Sequence, residues 1–136
     1  MYLHIPFCAG SCDYCDFYSV PVRPDGPELD AFTGVLLSDV RDNLARFSVT
    51  RVPTLYLGGG TPSILGTARM TRLLAGLRSL LPAWPGEVTV EANPESADEA
   101  FLRACREGGV NRVSLGVQTF HEPSRRMVHR VGEGSL

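Results

Sequence analysis

The sequence predicts an α/β fold built as a partial (β/α) barrel of about four βα units, and three observations carry that prediction. Strand-like and helix-like patterns alternate along all 136 residues; four such units in a row call for parallel strands joined by crossover helices. The unusual residues also fall just past the candidate strands, on the rim where barrels of this kind place their functional groups. Finally, the chain is shorter than the roughly 200 residues that a closed barrel needs.

Tyr2-Leu-His-Ile5 reads as a short strand, with Tyr2 and His4 sharing parity, and a cysteine loop follows it. Asp25-Gly-Pro27 punctuates before a helix from about Glu28 to Phe47, whose apolar face is Leu29, Phe32, Leu36, Val40 and Leu44. Thr54 to Leu57 is a buried-strand pattern, broken by Gly58-Gly59-Gly60. A second helix from about Thr67 to Leu81 buries Met70, Leu73, Leu74, Leu77 and Leu81, and Pro82 with Pro85-Gly86 closes it. Glu87 to Glu91 alternates as a strand. Ser96 and Glu99 match a capping box for a third helix, which Gly108-Gly109 ends. Asn111 to Gly116 is the fourth strand, and a fourth helix starts near Pro123.

Composition excludes several classes. The chain is 43% hydrophobic and 21% charged, with a formal net charge of −2, so no nucleic-acid or membrane-surface partner is expected. All 13 basic residues are arginine, which reads as codon bias. No apolar run is long enough to span a bilayer, no signal peptide is visible, and a reducing cytoplasm is the expected location. The fourth strand would leave an uncovered edge. A fragment of a longer parent, with little stability of its own, is therefore expected.

Cys8, Cys12 and Cys15 are spaced C-x3-C-x2-C. Three thiolates on a short loop suit a [4Fe–4S] cluster with one iron left open, whereas structural zinc takes four ligands, usually in two separated pairs. Spacing alone leaves both metals in play, His4 or a distant histidine being the fourth zinc ligand. His4 is otherwise a packed, hydrogen-bonded residue, and Cys105 a buried helix cysteine. The glycines at 58 to 60 either admit a ligand close to the backbone or form a turn. At the third strand end, Glu91 and Asn93 are candidate polar contacts to a ribose hydroxyl or an ammonium group, and Gln118 is a further candidate past the fourth. His121 and His129 read as surface residues, and Arg125, Arg126 and Arg130 as an exposed basic helix face, any one of which could pair a carboxylate.

Together these motifs resemble the radical S-adenosylmethionine (SAM) superfamily, in particular its oxygen-independent coproporphyrinogen III oxidase-like branch. The stretches that carry the resemblance are Tyr2 to Phe17, Leu57 to Ser63, Glu91 to Pro94 and Arg112 to Phe120. It implies that residues 1–136 are the N-terminal part of a radical SAM core domain. Cys8, Cys12 and Cys15 would then hold a [4Fe–4S] cluster, and SAM would chelate the open iron. Tyr2, Gly59 and Glu91 match SAM contacts, while Tyr14, Gly60, Thr61, Gln118 and Arg130 match positions assigned to a second SAM. The implied chemistry is reductive cleavage of SAM to methionine and a deoxyadenosyl radical, with electrons from a donor such as flavodoxin or ferredoxin. No residue is expected to act as a general acid or base.

Within that branch the sequence is most similar to HemW-type heme chaperones. Coproporphyrinogen III dehydrogenases carry a fourth cysteine two positions after the third, where this chain has Phe17, and a longer segment before the motif. Heme or a porphyrin is therefore the expected cargo. The His-Asn-rich motif that accompanies heme in that branch is not found in these residues. Decarboxylating oxidation of coproporphyrinogen propionates to vinyl groups is the alternative activity, and a zinc-stabilised α/β binding module the alternative from another class.

Overall fold

A computed structural model describes residues 1–128. Its centre is a four-stranded sheet in the order β1 (Tyr2–Ile5), β4 (Thr54–Gly59), β5 (Glu87–Ala92), β6 (Arg112–Leu115), with every neighbouring pair parallel. Helices α1 (Pro27–Arg46), α2 (Gly66–Leu80) and α3 (Glu99–Glu107) alternate with these strands, and α4 (Glu122–Met127) follows the last. The α/β alternation expected from the sequence is the architecture found.

Period-two alternation sorts the sheet into two unlike faces. Leu3, Ile5, Leu55, Leu57, Val88 and Val90 point to one side and are buried there with Leu29, Leu36 and Val40 of α1, Met70, Leu73, Leu74 and Leu77 of α2, and Phe101 of α3. This is the apolar core. Tyr2, His4, Tyr56, Gly58, Glu91 and Ser114 occupy the opposite parity, so polar tips collect on the face opposite the apolar core. At the sheet edge, Val113 and Leu115 of β6 remain 41% and 47% exposed, which is the uncovered flank anticipated from four units.

Two features differ from the sequence reading. Phe7–Cys8 (β2) and Val20–Pro21 (β3) form a small parallel pair that ties both ends of the cysteine loop together. Strands of two residues carry no periodicity by which to find them. The third helix is capped by Asp98, whose carboxylate accepts the Phe101 N–H at 2.7 Å, rather than by Ser96. Ser96 instead belongs to a short 3-10 turn, Pro94–Ser96, and its hydroxyl lies 2.5 Å from that of Ser63.

Candidate functional site

At the C-terminal ends of the parallel strands lies a cavity of about 360 Å³. Its walls come from four separate chain segments: Cys8, Cys12, Tyr14 and Cys15 from the first loop, Gly59, Gly60 and Thr61 after β4, Glu91 and Asn93 at the end of β5, and Ser114, Gly116 and Gln118 at and beyond β6. The coincidence of unusual residues on one rim, inferred from the sequence, is thus realised as the lining of one cavity.

The cysteine loop is shaped by its backbone. Val20 N–H donates to Pro6 O at 2.7 Å and Val22 N–H to Cys8 O at 2.9 Å, so the two ends of the loop are closed side by side. A tight turn, Cys15 N–H to Cys12 O at 3.0 Å, sets the latter two thiols close in the chain. All the cysteines are free; Cys8 and Cys12 are half-buried and Cys15 is exposed. Cys105 lies apart, buried in α3, where burial pushes its thiol up to about 11. That is the structural role expected for it.

The glycine segment is not simply a turn after the strand, since Gly58 and Gly59 are the last residues of β4. Gly59 adopts φ +118°, a region that L side chains rarely enter, and a Cβ there would lie 2.7 Å from the His4 ring. Gly60 is needed for space: its Cβ would fall 2.5 Å from the Phe7 carbonyl oxygen. With no side chain, residue 60 lies directly against β2, and Gly60 N–H and Thr61 N–H donate to Ile5 O (2.9 Å) and Phe7 O (2.7 Å).

Glu91 is held from two sides. Tyr56 O–H donates to its Oε1 at 2.6 Å and Gly59 N–H to its Oε2 at 3.1 Å. A carboxylate accepts about four hydrogen bonds, so capacity remains toward the cavity. The Tyr56 phenol is raised above its usual range, first by its hydrogen bond to Glu91 and then by burial. Sequence reading took Tyr56 only as part of a buried strand. Its parity, opposite to Leu55 and Leu57, was the available signal.

Tyr2 and His4 sit on the same sheet face but do not line the cavity. Tyr2 hydroxyl and His4 Nδ1 are 2.9 Å apart, and His4 Nε2 lies 3.4 Å from the Tyr18 carbonyl oxygen, so this histidine is hydrogen-bonded as expected. Tyr2 is the first residue of β1, opposite Tyr56 in register, which places it at the far end of the strand from the cysteines. Gln118 adopts φ +65°, within successive tight turns closed by Val117 N–H to Leu115 O and Thr119 N–H to Val117 O. Arg130 and His129, both named from sequence, lie outside the described residues.

One reading is corrected. Arg125 does not belong to an exposed basic face: its side chain is only 7% exposed and pairs with Glu95 at 2.6 Å. Arg126 is exposed and pairs with Glu122 one turn earlier. The periodicity of a six-residue helix cannot reveal which side meets the β5 loop. This pair ties α4 to the segment after β5, and a backbone bond from Asp13 N–H to Val128 O at 3.2 Å ties the residue after α4 to the cysteine loop.

The donor set fits an iron–sulfur cluster. A single structural zinc ion draws four protein donors onto one point. A [4Fe–4S] cluster takes each thiolate on a different iron, so its ligands surround a volume instead. Three free thiols around one cavity meet that requirement. None of the helices among the described residues is long and apolar enough to cross a membrane.

Comparison with known proteins agrees with this geometry. The family model of the radical SAM superfamily matches residues 2–134. Among curated relatives, the heme chaperone HemW of Escherichia coli K12 is 39% identical over 132 residues, covering 96% of this chain and 35% of that protein. Anaerobilin synthase of E. coli O157:H7 is 34% identical over 138 residues, covering 98% of this chain and 30% of that protein. Among solved structures, coproporphyrinogen III oxidase (HemN) from E. coli, described as a radical SAM enzyme, superimposes with a TM-score of 0.82 at 31% identity, covering 97% of this chain and 30% of that one. The chain thus spans about a third of the length of these relatives.

Proposed function

The chain belongs to the radical SAM superfamily, and from that membership we propose that it is the N-terminal part of a radical SAM core domain in a cytoplasmic, HemW-like heme chaperone. The observation that carries the proposal is the meeting of Cys8, Cys12 and Cys15 with Gly59, Gly60, Thr61, Glu91 and Gln118 around one cavity. In this reading the three cysteines hold a [4Fe–4S] cluster. When bound there, the cluster would supply the single electron that cleaves SAM reductively.

The other tasks fall to the protein's own groups. Glu91, already oriented by Tyr56 and Gly59, presents its remaining lone pairs to SAM; Gly59 lets SAM approach the backbone, and Tyr2 extends the same polar face. Tyr14, Gly60, Thr61, Gln118 and Arg130 are assigned to a second SAM. A one-electron donor such as flavodoxin or ferredoxin is the proposed redox partner, and heme or a porphyrin the proposed cargo of the whole protein.

The alternative is oxidation of coproporphyrinogen III, and the solved relative of that activity keeps it open. Phe17 favours the chaperone: it replaces the additional cysteine of the dehydrogenases and is 74% exposed on the loop. The test reconstitutes the full-length protein anaerobically, then measures heme binding and protoporphyrinogen formation in parallel. Stoichiometric heme binding without turnover supports the chaperone. Turnover would replace this reading with the enzyme, and a preparation that takes up no iron and sulfide would remove the cluster from both.

A further inference from the structure

One cysteine of the three is tied to a side-chain relay. Cys8 Sγ lies 3.5 Å from Thr61 Oγ1, and Asn93 Nδ2 lies 3.3 Å from that same oxygen. Thr61 is 8% exposed, so water does not compete freely for its hydroxyl. Asn93 is itself anchored, its N–H donating to Ser63 Oγ at 3.1 Å, and that hydroxyl is 2.5 Å from Ser96 Oγ.

Direction follows from donor inventory. The amide nitrogen of Asn93 can only donate, so Thr61 Oγ1 accepts there and keeps its own hydrogen for another partner. A cysteine that ligates a metal is deprotonated outright and can only accept. The Thr61 hydroxyl must therefore donate toward Cys8 sulfur once the cluster is in place. Hydrogen bonds to cluster sulfurs are among the features that set the reduction potential, because they stabilise the more electron-rich state.

Resting on the cluster assignment above, we infer that Thr61, oriented by Asn93, is a positioning residue that raises the cluster's reduction potential through Cys8. Gly60 makes this possible, since its bare backbone packed on Phe7 is what brings residue 61 within reach of residue 8. The role does not require that Thr61 touch SAM.

The experiment is a redox titration, poised with dithionite and mediators and read by electron paramagnetic resonance, on the anaerobically reconstituted full-length protein without SAM. Thr61→Val removes the donor at nearly constant volume, Thr61→Ser retains it, and Asn93→Ala removes the group that orients it. Thr61→Val is expected to lower the ratio of reduced to oxidised cluster at a fixed potential by about threefold to tenfold, tenfold being about 59 mV for a one-electron couple. Thr61→Ser is expected to restore the wild-type value, and Asn93→Ala to shift the potential in the same direction by less. An unshifted Thr61→Val potential would overturn the inference, as would a Thr61→Ser shift equal to that of Thr61→Val. If Thr61→Val assembles no cluster, an unshifted Asn93→Ala potential overturns it. Failure of the wild-type protein to assemble a cluster would instead overturn the underlying assignment.

Discussion

Replacing Gly60 with alanine separates close backbone approach from conformational freedom. Gly60 is not in the left-handed region, so alanine meets no dihedral penalty there. The obstacle is contact: the new methyl would lie 2.5 Å from Phe7 O and 2.9 Å from Phe7 C and N, all backbone atoms that no rotamer change can clear. Relief requires the segment to lift away from β2, which breaks the 2.9 Å bond to Ile5 O and the 2.7 Å bond to Phe7 O. Two backbone hydrogen bonds contribute about 2 kcal/mol net, and residual overpacking adds about 1 kcal/mol or more. The stiffer unfolded chain offsets about 0.4–1 kcal/mol of this. The expected net loss is about 2–3 kcal/mol, measured by urea unfolding, together with reduced iron and sulfide uptake. Gly34→Ala is the internal control, because Gly34 lies inside α1 with nothing within 4 Å of its added Cβ; it is expected to stabilise by about 1 kcal/mol. If Gly60→Ala unfolds within about 0.5 kcal/mol of wild type and still assembles a full cluster, the packing argument is refuted.

Arg125→Met should destabilise by about 1–3 kcal/mol by removing a charge partner of the largely buried Glu95, and adding Glu95→Gln should recover part of that; a double-mutant cycle with no coupling would contradict it. Hydrogen bonds from Arg69 and Arg72 hold the Asp30 carboxyl at about 2, down from 3.8. Its folded pKa being depressed, its stabilising effect is full above the unfolded value and fades as pH falls from about 4 to about 2. Asp30→Asn should remove that part of the acid unfolding profile, and an unchanged profile would exclude the linkage. Native alkylation of the cluster-free protein at neutral pH should modify Cys8, Cys12 and Cys15 and spare Cys105 until denaturant is added, as mass spectrometry would show; labelling of all four at similar rates would contradict its burial.

Much of this site was legible because it rests on short-range patterns. Alternating apolar residues place Leu55, Leu57, Val88 and Val90 in the core, so the residues that end those strands necessarily gather on one rim. Cysteine spacing and the clustered glycines mark the loops without any knowledge of their contacts. What escaped depends on partners distant in the chain. Tyr56 acquires its role by meeting Glu91 across the β4–β5 register, and Arg125 is buried where it meets Glu95, a residue distant in the chain. Ser96 and Glu99 satisfy the capping-box pattern, yet Asp98 offers a better-placed acceptor and Ser63 engages the Ser96 hydroxyl. Arg130 falls beyond the described residues.

The strand order β1-β4-β5-β6 also bears on how the molecule is made. Each strand of this sheet pairs with the strand of the same sheet synthesised just before it, so none has to be inserted between two that are already joined. A ribosome delivering about 5–20 residues per second presents the cysteine loop first. The Gly60–Thr61 segment emerges some seconds later, then Glu91 with Asn93, then Gln118. The cavity is therefore completed wall by wall in the order of translation, and the three thiols await their protein surroundings for the whole of that interval.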